Sequence, residues 1–306
     1  DFSFLTNHLG KKENNWKLNV LSKLIPWYYR FLSFGVEQFI TLDESISSRL
    51  SSYLWQKDKV KTTSIWLKNK RISAKKAQIA RQQFAIKENE IVLSVFGFMS
   101  RYKGVDALLK NFLRFKKEFP KSKFKLFLAG GMAPSQKNQK HYQDFYAGLE
   151  KLAKKHQDIT LTGFIPNREL ENYMALTDVV LLPYKGILGA SASWATVLSY
   201  SKACFFSRSL SPYFNSPDVQ KTLTKLNISS EDLIFEEDYQ AFKKLLLNLQ
   251  KDRVLLDQAT HFSKLLGSFR DEKVCIFRDF PPLYFPLSCT KRDQACYNLG
   301  DEKITA

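Results

Sequence analysis

From about residue 91 onward, short apolar runs alternate with amphipathic stretches whose apolar positions recur every three or four residues. Five of the runs, at 91–96, 124–129, 159–162, 178–182 and 203–207, read as strands. They are short and several are β-branched or aromatic, as strands covered on both faces require. Residues 105–119 place Leu108, Leu109, Phe112 and Phe115 on one stripe, with Lys110, Arg114, Lys116 and Lys117 opposite, which predicts a surface helix. Asn167 is placed as the cap of a helix over 168–176, with Pro166 ahead of it and Glu169 and Glu171 in its first turn. A repeated strand-helix order with right-handed crossovers predicts a doubly wound α/β sheet, which binds ligands at the carboxyl ends of its strands.

Before residue 91 the pattern changes. Residues 2–6 and 38–42 read as strands, separated by an aromatic helical stretch around Trp27 to Phe34. The segment 68–90 is rich in Lys, Gln and Ala without a strong apolar period, and reads as a helical linker. The expected organisation is a partial N-terminal α/β lobe over 1–67, a linker over 68–90, a Rossmann-like domain over 91–270 ending in helices near 239–249 and 255–266, and a poorly ordered tail over 271–306. The chain begins without Met and enters a strand pattern at once, so an incomplete N-terminus is expected.

The 306 residues include 25 Phe and are 44% apolar, enough for a packed core. Forty-seven Lys and Arg against 30 Asp and Glu leave a formal charge of +17, which points to an anionic partner: nucleotide, nucleic acid or acidic lipid. Cys204, Cys275, Cys289 and Cys296 show neither C-x-x-C spacing nor pairing with His at metal-ligand intervals. They read as reduced thiols, with no metal site expected. No run approaches the roughly 18 apolar residues of a membrane-spanning helix, and no signal peptide is present in the sequence given. The expected setting is cytoplasmic, peripheral at the inner face of the membrane if acidic lipid is the partner.

The segment carrying most chemistry is 95–109, a strand, a loop with Gly97, then Arg101, Lys103 and Gly104 opening a helix. A helix start offers unpaired N–H groups and a positive dipole end to a phosphate, and neighbouring cations add charge-assisted hydrogen bonds. In a chain this rich in Lys, an ordinary basic loop looks the same. The segment also resembles the Phe-Gly-x-x-x-x-Tyr-Lys-Gly loop of retaining GT-B glycosyltransferases (the group 1, family 4-like enzymes). Four further segments resemble motifs of that family, in its order. These are Phe-Leu-Ala-Gly-Gly at 127–131, Leu-Thr-Gly-Phe-Ile-Pro at 161–166, the strand into Pro-Tyr at 177–184, and 189–203, similar to a helix that begins Ser-Gly and ends Gly-Lys-Pro. The likeness covers roughly residues 90–265.

The resemblance implies the C-terminal, donor-binding domain of a GT-B enzyme. Such an enzyme moves a sugar from a UDP- or GDP-sugar to a saccharide or lipid-linked acceptor with retention, in polysaccharide biosynthesis. It further implies that Arg101 and Lys103 hold the diphosphate, that Gly97, Gly104, Ser191, Ala192 and Ser193 surround it, and that Gly163, Phe164 and Ile165 meet the nucleobase. His8, in Thr-Asn-His-Leu-Gly, is similar to a histidine beside the transferred sugar. No cofactor or metal is implied beyond the nucleotide sugar.

The sequence also departs from the family. Many members carry two Glu eight positions apart at the last helix, where this chain has Leu188 and Thr196, the second at the ribose position. Ser201 and Ala203 replace the usual Gly and Pro. These departures keep open a degenerate or truncated relative that binds nucleotide without turnover. The net charge keeps open a basic nucleic-acid-binding protein, although no recognition motif accompanies it.

Overall fold

The computed structural model describes residues 16–42, 44–187 and 189–274. His8, the strand expected at 2–6 and most of the tail, with Cys275, Cys289 and Cys296, lie outside these residues, as does Leu188.

The described chain starts with α1 (Trp16–Gly35), β1 (Phe39–Thr41), α2 (Glu44–Tyr53) and β2 (Val60–Thr62). β1 and β2 pair in parallel as a separate two-stranded sheet. The chain then runs extended along the second body. Leu67 N–H donates to Arg270 O at 2.8 Å, Glu272 N–H to Leu67 O at 2.8 Å, and Lys70 N–H to Ser199 O at 2.7 Å. The stretch expected as a helical linker is helical only over α3 (Ala74–Gln83), which starts with Ser73 Oγ accepting from Lys76 N–H. Ala80 and Ile86 are buried with Val92, Phe127, Ala175 and Leu176. Arg81 reaches Asp178 at 3.0 Å and the carbonyl of Glu90 at 2.6 Å, so these residues pack as part of the domain.

The second body alternates strand and helix: β3 (Ile91–Phe96), α4 (Val105–Glu118), β4 (Phe124–Ala129), α5 (Lys140–Ala153), β5 (Ile159–Leu161), α6 (Asn167–Leu176), β6 (Val179–Leu182), α7 (Ala192–Ser199), β7 (Ala203–Ser207), α8 (Pro217–Leu226), β8 (Ile234–Phe235), α9 (Tyr239–Lys251) and α10 (Val254–Phe269). The strands form one six-stranded sheet in the order β5-β4-β3-β6-β7-β8, with every neighbouring pair parallel. β3 and β6 are adjacent although five elements, α4, β4, α5, β5 and α6, separate them in sequence. The strand order reverses there, so a crevice opens outside their carboxyl ends. β3, β6 and β7 are almost fully buried, which explains their continuous apolar runs.

Three details correct the sequence reading. A sixth strand, β8, is only two residues long, too short to show an apolar run. Asp178 lies before β6, its carboxylate accepting from Val92 N–H at 2.8 Å. Asn167 is the first residue of α6, and Pro166 holds the cap position without a side-chain hydrogen bond. Helices α2, α5 and α8 were not anticipated.

Ser201 stands where the resembled family carries Gly, and its φ is +51°. A left-handed conformation costs an L-residue about 1 kcal/mol. Ser201→Gly is therefore expected to raise stability by up to about 1 kcal/mol, read as a higher midpoint in urea at unchanged slope.

Candidate donor site at the carboxyl ends of the central strands

The site grows out of the ends of β3 and β4. At the end of β3 the chain turns through Gly97 at φ +97°, and a Cβ there would lie 2.5 Å from Lys103 Nζ. A short 3₁₀ turn, Arg101–Lys103, follows and ends at Gly104. Gly104 has φ +66° and leads directly into α4; a Cβ on it would fall 1.9 Å from the carbonyl oxygen of Pro183. Both glycines are thus needed to fold the loop back against the strand ends.

That folding buries Lys103 to 6% exposure. Its Nζ donates to Phe96 O at 3.1 Å and to Ser193 Oγ at 3.3 Å, and Ser193 Oγ donates to the same carbonyl at 3.1 Å. The ammonium also lies 5.4 Å from the centre of the Tyr184 ring. Lys103 and Ser193 thereby tie the start of α7 to the end of β3. Among the described residues no carboxylate accepts from Lys103. At α7 itself Ser191 Oγ accepts from Trp194 N–H at 3.2 Å, a side-chain cap. Among the described residues the N–H groups of Ala192 and Ser193 meet no protein acceptor. A cation and a helix N-terminus thus face one space, an arrangement that binds phosphate.

The space is a cleft of about 460 Å³. Its walls include Gly97, Lys103, Phe164, Ile165, Ser191, Ala192, Ser193 and Thr196, all expected from the sequence. No Asp or Glu lines it among the described residues. Thr196 Oγ1 donates to Ala192 O at 2.9 Å, so its hydroxyl is engaged within the helix. Phe164, one of the lining residues, is 68% exposed. Gly163, at φ +72°, and Gly104 shape the backbone without lining the cleft. Arg101 differs from expectation. Its guanidinium lies 4.8 Å from the centre of the Phe145 ring on α5 and does not line the cleft, because it points outward from the 3₁₀ turn.

Sequence reasoning missed Phe98, Tyr102, Leu170, Gly189, Ala190 and Tyr213 as lining residues. Tyr213 comes from a 3₁₀ stretch, Arg208–Asn215, that has no strand or helix pattern, and its hydroxyl donates to Gly189 O at 2.6 Å. Burial holds the Tyr102 hydroxyl neutral, well above the ordinary tyrosine range, with Tyr184 adding to the effect. Behind the site, burial pulls the Lys202 ammonium down to about 8, against the attraction of Asp178, while it donates to Thr177 O at 2.8 Å. Among the described residues no group of three His, Cys, Asp or Glu is placed to hold a metal ion, and no helix is long and apolar enough to cross a membrane.

Residues 76–202 match the sequence model of the family glycosyl transferases group 1. No curated protein matches the chain in sequence. In three dimensions the chain is similar to Anabaena HepE crystallised with UDP and glucose, at TM-score 0.57 and 12% identity over 77% of this chain and 58% of that one. It is similar to sucrose-phosphate synthase from Thermosynechococcus elongatus at TM-score 0.57 and 13% identity, over 78% of this chain and 56% of that one. A glycosyltransferase from Rickettsia africae gives TM-score 0.62 and 10% identity, over 83% of this chain and 64% of that one. The fold is the GT-B glycosyltransferase fold. The chain spans less than three fifths of the length of HepE and of the sucrose-phosphate synthase.

Proposed function

We propose that this chain is the donor-binding part of a glycosyltransferase that takes a UDP- or GDP-linked sugar and transfers it, with retention, to a saccharide or lipid-linked acceptor. The observation that carries the reading is the buried, carboxylate-free Lys103 ammonium opposite the open N-terminus of α7, in a segment matching the glycosyl transferases group 1 family. Lys103 and the N–H groups of Ala192 and Ser193 would neutralise the diphosphate as the glycosidic bond breaks, the stage at which preorganised charge lowers the barrier most. The base would pack on Phe164 and Ile165. That HepE was crystallised with UDP supports the nucleotide. The absence of any carboxylate from the described walls suits an anionic ligand and leaves no charge to repel it. Buried Cys204, its thiol pushed up by desolvation, suits a cytoplasmic setting.

A second reading, nucleotide binding without turnover, is favoured by Thr196, whose hydroxyl is spent on Ala192 O where a ribose-binding Glu would stand. Calorimetry with UDP and GDP, followed by nucleotide release from UDP- and GDP-sugars, separates the readings. Binding of one nucleotide is the expected result, with little or no release by this chain alone, which spans less than three fifths of the length of HepE and of the sucrose-phosphate synthase, and release over the enzyme-free rate once upstream sequence is restored. Binding without release even then would select the second reading, and failure of both nucleotides to bind would sink both.

A further inference from the structure

The cleft has two unlike halves. Where the end of β3 meets α7, it carries the Lys103 ammonium and the hydroxyls of Ser191 and Ser193. Beyond the ends of β4 and β5 its walls include Gly130, Gly131, Phe164, Ile165 and Leu170, and the one polar side chain that lines this half among the described residues is that of Asn167. The halves adjoin because β4 pairs directly with β3. Among the described residues no charged side chain lines the second half, so it suits a neutral and largely apolar group.

Asn167 is uncommitted. Its place in the sequence suggests a helix cap, but Pro166 holds the cap and leaves Asn167 as the first residue of α6. Asn167 is exposed, and among the described residues its amide meets no protein donor or acceptor. The end of β4 packs against the loop that presents it, since a Cβ on Gly131 would lie 2.7 Å from the backbone nitrogen of Phe164. Phe164, itself largely exposed, and Asn167 thus bring an aromatic ring and an amide to the same end of the cleft.

Hydrogen-bond pattern selects the base. An Asn amide places an acceptor beside a donor. Uracil matches that pair with an N–H beside a carbonyl oxygen. Guanine presents the same pair and a further N–H from its 2-amino group, and two parallel N–H donors are the complement of a carboxylate. No Asp or Glu lines the cleft among the described residues. Against walls of Gly, Phe, Ile and Leu the extra donor finds no side chain to accept it, and a polar group left unpaired is what a site rejects most strongly.

We propose that Asn167 reads the edge of the donor's base and selects UDP-linked over GDP-linked sugars, with Phe164 against the face of the base. The inference rests on the donor-site reading above and names the nucleotide that site takes.

Calorimetric titration with UDP, GDP and inorganic pyrophosphate tests it. Wild type is expected to bind UDP about tenfold more tightly than GDP. Asn167→Ala should weaken UDP about tenfold and leave pyrophosphate, which has no base, unaffected. Asn167→Asp, whose carboxylate accepts two N–H groups and repels the uracil oxygen, should make GDP the tighter ligand. Lys103→Met should instead weaken both nucleotides alike. Because Asn167 is exposed and caps nothing, both of its variants should melt as wild type does, and Asn167→Ala with its pyrophosphate control serves if the Asp variant does not fold. A wild-type preference for GDP, unchanged UDP affinity in Asn167→Ala, an equal loss of pyrophosphate, or an unaltered preference in a folded Asn167→Asp would overturn the proposal while leaving the donor site standing. Binding of neither nucleotide by wild type would overturn the donor-site reading and this inference with it.

Discussion

Lys103→Met is expected to weaken UDP or GDP binding about thirtyfold, roughly 2 kcal/mol, whereas Arg101→Ala should change it little. The two cations share one loop and one sequence motif, and the structure separates them. Lys103 is 6% exposed, its Nζ held by Phe96 O and Ser193 Oγ in the floor of the cleft. A phosphate meeting it replaces little water and gains a charge already aimed. Arg101 lies over Phe145 outside the lining, and reaching a nucleotide would require it to leave that ring. Met keeps the length and most of the volume of Lys, so the loss reports the ammonium rather than a cavity. Calorimetric titration of the two single variants measures the difference. Equal losses in both would mean that the loop closes Arg101 over the ligand. Unchanged affinity in Lys103→Met would remove the proposed phosphate site.

The second large effect concerns the junction between the two bodies. Asp218 and Arg270 form a nearly buried pair, 2.7 Å between Nε and Oδ2 and 3.2 Å between Nη2 and Oδ1. Ser64, from the segment leaving the first body, donates to Asp218 Oδ2 at 3.0 Å, and the Arg270 guanidinium lies 4.7 Å from the centre of the Trp194 ring. One carboxylate therefore joins the connecting segment, the start of α8 and the end of α10. Asp218→Asn leaves the arginine charge buried without its partner, and is expected to cost about 3 kcal/mol of stability in urea unfolding. Burial by itself would raise the Asp218 carboxyl, but Arg270, Ser64 and the N–H of Val219 outweigh it and hold it below its ordinary value. A carboxyl depressed in the folded state stabilises fully above its unfolded value of about 4, and that contribution drains as pH falls through the folded value. The gap between wild type and Asp218→Asn should accordingly be constant near neutrality and narrow below about pH 4. A gap that is small at neutral pH, or that widens in acid, would show that the pair does not hold the junction.

The sequence by itself determined the doubly wound body and named most of the residues that line the proposed phosphate site. The short, largely apolar runs of β3, β4, β6 and β7, alternating with amphipathic stretches, fit strands covered on both faces, and the amphipathic period of α4 fixes which side of that helix is buried. Gly97, Lys103, Gly104 and Ser193 were legible through the resemblance of their segments to the family's loops, since by local pattern alone an ordinary basic loop looks the same. Asn167 misled because cap preference is weak enough for Pro166 to take the position. Only the tertiary structure decided the rest. It brought Tyr213 to the cleft from a stretch with no periodicity and paired Asp218 with Arg270 across 52 positions. It also turned Arg101 away while burying Lys103 two residues later. The aromatic stripe of α1 was visible in the sequence, but period alone cannot say which way an apolar face points. That direction is set by what packs on the other side, here Tyr53 and Phe39 against Tyr29, contacts between residues that no local pattern links.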